Sequence, residues 1–100
     1  MKTARFEWDQ SKATSNLAKH KISFEQAIQA FDDPCALIAH DEGHSADEHR
    51  EWILGEADPG VIVVVFTRRE AGEVIRLISA RKANQKERAV YEAFKRIPIQ

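Results

Sequence analysis

Arg76, Arg81, Glu87 and Tyr91 fall in one stretch where an alternating strand ends in Ser79-Ala80-Arg81 and gives way to a capped helix. Planar, permanently charged guanidinium groups hold a phosphate through paired hydrogen bonds and stabilise the extra negative charge of a phosphorane-like transition state. RNA carries its own nucleophile, the 2′-hydroxyl. Cutting it therefore needs positioning, a weak base, a proton donor and cations, with no metal and no cofactor. Strict two-residue pleating puts Arg76, Ile78 and Ala80 on one face and Leu77, Ser79 and Arg81 on the other. Convergence of the two arginines thus requires the chain to bend at Ser79–Arg81. Glu87 also has a structural role, as the N3 residue of an Asn84-x-x-Glu87 capping box, and Tyr91 has one as a border residue of an amphipathic helix.

A second cluster runs from His40 to Arg50, with three histidines and four carboxylates. Imidazole and carboxylate are ordinary zinc or manganese ligands. Gly43, Ser45 and the flanking strand patterns favour a polar loop instead, and no metal site is expected. His44, a residue type whose unperturbed pKa lies near neutrality, is the natural proton shuttle if this loop faces the basic corner. Lys12, Asn16 and His20 recur at helical spacing and read as a solvent stripe. Cys35 is the only cysteine, which fits a reducing compartment; beside Pro34 and Ala36 it reads as a small apolar residue, not a nucleophile.

The elements that must position these groups follow from periodicity. Phe6-Glu7-Trp8 is a short edge strand leading into a helix over about residues 10–20, capped by Asp9 or Ser11. Ser23-x-x-Gln26 opens a second helix with Phe24, Ala27, Ile28 and Phe31 as its stripe, ended by Asp32-Asp33-Pro34. Strands are predicted over 35–39, 50–55, 61–67 and 73–80, the third apolar at every step and hence central. The last helix is expected to lay Val90, Ala93, Phe94 and Ile97 on the sheet. Helices followed by strands argue an α+β fold in one domain spanning 1–100: an N-terminal strand and helical hairpin on a mainly antiparallel sheet, then a C-terminal helix.

The formal charge of -1 conceals an asymmetry. Residues 1–67 hold 6 Lys and Arg against 12 Asp and Glu, whereas residues 68–100 hold 9 against 4. A basic third on a near-neutral chain suggests a local patch for phosphates or an acidic partner; dedicated DNA-binding domains are usually basic throughout. No apolar leader or membrane-spanning run stands out, so a cytoplasmic protein is expected.

Taken in order, Phe6-Glu7-Trp8-Asp9, Lys12, Asn16, Lys19-His20, Ser23-Phe24-Glu25 and Phe31-Asp32-Asp33-Pro34 resemble the N-terminal half of the BrnT toxin family. His44-Ser45, Glu48, Arg50, Gly55, the 61–67 strand, the 75–81 segment, Ala83, Glu87-Arg88 and Tyr91-Glu92 resemble the second half. The resemblance implies a RelE-like fold and a ribonuclease toxin of a type II toxin–antitoxin system that arrests translation. It implies a BrnA-like antitoxin with a ribbon-helix-helix region, through which alone the complex would reach operator DNA. Carried over by residue, it makes Arg50, Arg76 and Arg81 the phosphate contacts. His44, Glu48, Glu87 and Tyr91 become candidates for proton transfer or for orienting the arginines. Apart from the resemblance, Lys82, Arg68 and Arg88 are expected as further substrate-binding cations. The alternative is a non-catalytic co-repressor module that binds RNA or the antitoxin. One departure from the family pattern is Lys21, where glycine would take a left-handed helix cap more cheaply.

Overall fold

The computed structural model describes residues 5–41 and 49–97. The apolar run from Val61 to Phe66 lies in β4 (Gly60–Arg69), the central strand of a five-stranded sheet formed by the described residues. On one side β4 pairs antiparallel with β3 (Arg50–Ala57), which carries β2 (Leu37–His40) beyond it. On the other it pairs antiparallel with β5 (Val74–Lys82), and β1 (Arg5–Glu7) closes that edge parallel to β5. Between β1 and β2 come α1 (Gln10–His20) and α2 (Phe24–Ala27); α3 (Gln85–Lys95) follows β5. The architecture is the α+β arrangement that the order of elements predicts. Among the described residues no helix is long and apolar enough to cross a membrane.

One face of the sheet is fully covered. Ile53, Ile62, Val64, Phe66, Ile75, Leu77 and Ala80 pack against Ile22, Phe24, Ala27 and Ala30 of the helical segment. The single helix predicted after Ser23 is in fact one α turn followed by a 3-10 helix over Ile28–Asp32. Winding at about three residues per turn stacks side chains spaced three apart. Ala30 thereby follows Ala27 on the face that Phe24 begins in the α turn, and all three are fully buried. Gly55 allows the turn to sit this close, since a Cβ there would stand 2.8 Å from the Ala30 carbonyl oxygen.

Asn16 does not belong to a solvent stripe. It is 6% exposed. Its Nδ2 donates to the carbonyls of Ile22 at 3.0 Å and Ala80 at 2.8 Å, and its Oδ1 accepts the Ala80 N–H at 3.0 Å. The reason lies in β1, which pairs with β5 only as far as Arg76. Beyond that point the edge of β5 needs a hydrogen-bonding partner, and the Asn16 carboxamide supplies a peptide-like donor and acceptor. At the far end of α1, Lys21 takes the left-handed cap (φ 64°) and its N–H bonds the Leu17 carbonyl.

The expected packing of α3 is also corrected. Val90, Phe94 and Ile97 are 48%, 54% and 56% exposed, and Ala93 is exposed as well. Tyr91 is the buried residue, joining Leu54, Val63 and Ala83 on the second face of the sheet. Two polar contacts set the rotation of the helix: Glu87 to Arg81, and the Tyr91 hydroxyl donating to Asp33 Oδ2 at 2.6 Å. The apolar line, offset by about 100° per residue, is thereby turned outward. Asp33 also accepts the amides of Cys35 at 2.9 Å and Glu56 at 2.7 Å. Burial pushes its carboxyl up, but these donors outweigh it and hold it below the usual range. Burial, and then the Asp33 carboxylate, push the Tyr91 hydroxyl well up. Tyr91→Phe should cost about 1.5–3 kcal/mol, the usual worth of a hydrogen bond to a charged group. Thermal unfolding measures it, and an unchanged midpoint would show that the bond contributes nothing.

Candidate active site

Within the β4–β5 ladder Val65 lies opposite Ser79 while Phe66 lies opposite Leu77, so Ile78 has no partner. Such a bulge inserts one residue and shifts the phase of the pleat. Before it, Ile75 and Leu77 point into the covered core; after it, Ala80 does. Arg76, Ser79 and Arg81 therefore share the opposite face. The change of phase that convergence requires is present, at Ile78 instead of within Ser79–Arg81, and β5 continues to Lys82.

On this face the residues stand in cross-strand rows. Arg50 lies opposite Thr67, Thr67 opposite Arg76, and Arg76 opposite Glu7. The next row runs Trp52, Val65, Ser79, and the third runs Leu54, Val63, Arg81. At about 3.3 Å per residue, the four residues from Thr67 to Val63 separate the first and third rows by about 13 Å. The face thus offers guanidinium groups at both ends with an indole between them. Arg76 Nη1 bonds Glu7 Oε2 at 3.0 Å, and Arg69 Nε stands 3.6 Å from the same oxygen. Thr67 is 4% exposed, and its Oγ1 has no hydrogen-bond partner among the described residues.

The third row is braced by α3. Arg81 Nη1 and Nη2 bond the two carboxylate oxygens of Glu87 at 2.8 and 2.9 Å. Glu87 Oε1 also accepts the Asn84 N–H at 2.9 Å, and the Asn84 side chain accepts the Glu87 N–H, closing the predicted capping box. One carboxylate thereby caps the helix and fixes a guanidinium. The Arg81 hydrogen bonds hold the Glu87 carboxyl below its usual range, and Glu87 in turn raises Arg81. A cleft of about 280 Å³ opens here, lined by Asp41, Trp52, Val63, Val65, Arg81 and Glu87.

The remaining predicted residues are distributed differently. Arg68 belongs to the other face, bonded to Glu51 Oε2 at 2.6 Å and lying 5.5 Å over the Phe66 ring. Lys82 is exposed at the end of β5. Arg88 donates to the Ala83 carbonyl at 2.8 Å. Tyr91 points beneath α3 to Asp33 and does not join the rows. His44 and Glu48 lie outside the described residues. Two residues of the face escaped the sequence reading. Trp52 had a signal, since Arg50 and Trp52 are two apart in a strand and must share a face; Thr67 had none until the register was known.

One face of the sheet in this small α+β domain thus carries arginines in two rows with an aromatic between them. The family of ribonuclease toxins named BrnT, of type II toxin–antitoxin systems, matches residues 8–87. The chain belongs to this family. It is similar to the Brucella abortus ribonuclease toxin BrnT, known from a 1.1 Å crystal structure: identity is 29%, 83% of this chain and 100% of that chain are covered, and the TM-score is 0.64. No curated protein matches the chain.

Proposed function

We propose that the chain is a metal-independent endoribonuclease that cuts RNA by 2′-hydroxyl attack and so arrests translation. The observation that carries this reading is the presence of Arg76 and Arg81 on one face of the sheet, with Arg50 in the row of Arg76. In this reading Arg50 and Arg76 hold the non-bridging oxygens of the scissile phosphate. Arg81, two rows away and oriented by Glu87, takes a neighbouring phosphate of the same strand. Trp52 stacks a neighbouring base. The 2′-oxygen bonds to phosphorus and gives up its proton, the bond from phosphorus to the 5′-oxygen breaks, and that oxygen takes a proton. A 2′,3′-cyclic phosphate and a 5′-hydroxyl result.

His44 and Glu48 are assigned to proton transfer on the family resemblance, and Lys82 and Arg88 to the rim of the RNA path. Tyr91 is assigned to holding α3, since its hydroxyl is engaged by Asp33. The partner is proposed to be a BrnA-like antitoxin whose ribbon-helix-helix region takes the complex to operator DNA.

The test is incubation of the purified chain with RNA in EDTA. New ends bearing cyclic phosphate are expected, and Arg76→Ala combined with Arg81→Ala should remove them. Binding without new ends would instead make the chain a non-catalytic co-repressor module.

A further inference from the structure

The bulge at Ile78 has a second side. Where β5 runs past the end of β1, a groove of about 320 Å³ lies between the strand edge and α1. Lys12, Lys19 and His20 line it, together with the hydroxyl side chains of Ser11, Ser15 and Ser79, and no carboxylate does. These basic side chains differ from the arginines of the sheet. Arg68, Arg69, Arg76 and Arg81 each have a carboxylate within 4 Å. Lys12, Lys19 and His20 make no ion pair among the described residues. Lys12 and Lys19 are two turns apart on one helix face, about 10 Å along the axis.

The groove is continuous with the arginine face. Ser79 lines the groove and stands in the Trp52 row. At the other end Asp9, which caps α1 beside Ser11 and Lys12, lies within the electrostatic reach of Arg76. A strand of nucleic acid leaving the first row therefore passes the Asp9 carboxylate, whose Oδ1 already accepts the Ser11 hydroxyl at 2.7 Å, and then meets the Ser15 and Ser79 hydroxyls and positive charge along α1.

We propose that the groove between α1 and the bulged edge of β5 is a second RNA subsite, in which Lys12, Lys19 and His20 take backbone phosphates flanking the one held by the arginine row. This rests on the reading of the chain as an RNA-cutting protein. The subsite reads no base; its contribution is electrostatic, and it sets the length of single strand the protein engages.

The test uses the full chain and a fluorescent 12-nucleotide RNA with 2′-O-methyl groups, which cannot supply the nucleophile. Binding is titrated by anisotropy at several salt concentrations for the unmodified chain, Lys12→Ala/Lys19→Ala and Arg76→Ala. Each phosphate of a single strand that the protein ceases to neutralise should lower the slope of log K against log salt by about 0.7. The double variant should thus lose about 1.4 from the slope and bind roughly tenfold more weakly at moderate salt, with an unchanged unfolding midpoint because both lysines are exposed. An unchanged slope and affinity, with Arg76→Ala still weakened, overturns the subsite and leaves the proposed function standing. Unchanged RNA binding with loss of neutralisation by the antitoxin would assign the groove to an acidic protein segment and overturn the proposal. Absence of any salt-dependent RNA binding by the unmodified chain would remove the proposed function and this subsite with it.

Discussion

Arg76→Ala is expected to lower RNA cleavage about 10²–10³-fold while leaving the protein folded, the usual consequence of deleting one preorganised donor to a developing charge. The size of the effect follows from the place of Arg76. It shares a row with Arg50 and Thr67, and its guanidinium is held by Glu7 at 3.0 Å. The small cost in stability follows from exposure: the two side chains are 33% and 41% exposed, and such pairs are worth about 0–1 kcal/mol. Arg76→Lys keeps the charge but not the planar fork, so it should recover only part of the rate. Initial rates on a short RNA, with the unfolding midpoint measured on the same preparations, decide the matter. A normally folded Arg76→Ala that cuts RNA at full rate would remove the first row from the mechanism.

Asn16→Ala should be the most destabilising of the single substitutions considered, by about 3–5 kcal/mol. It leaves the Ala80 N–H and the carbonyls of Ile22 and Ala80 without the partners they now have, each such buried group costing about 1–3 kcal/mol before relaxation. That is a large share of the stability of a small domain, typically about 5–15 kcal/mol in total. Asn16→Asp is expected to do no better, since it returns one acceptor but sets a carboxylate against two carbonyl oxygens. Denaturant titration gives the value, and a loss below about 1 kcal/mol would mean that water replaces the carboxamide without strain. Because Ala80 immediately precedes Arg81, the same substitution loosens the strand that aims the third-row guanidinium.

What the sequence made legible was what local rules control. Ser23, Gln26, Asn84 and Glu87 form the two capping boxes they spell, and the Val61–Phe66 run lies in the central strand. What it hid was set by distant partners. Asn16 sits among polar neighbours at helical spacing, and only a backbone edge 64 residues away explains its burial. The rotation of α3 was ambiguous because Tyr91 and the Val90, Phe94, Ile97 line both suit a helix; the contacts to Asp33 and Arg81 choose between them. At the candidate site, the arginines were readable by residue type. Their common face was not, because nothing in Leu77-Ile78-Ser79 marks which residue goes unpaired.

That unpaired residue bears on how relatives should be compared. Arg76 and Arg81 are separated by an odd number of steps and still point the same way, because one of those steps is taken up by Ile78. In a relative whose strand ran without the bulge, two arginines at the same spacing would straddle the sheet, one of them in the apolar core. An alignment that matched both arginines letter for letter would then equate residues occupying different sides of the molecule. Column identity in this strand carries meaning only alongside the register.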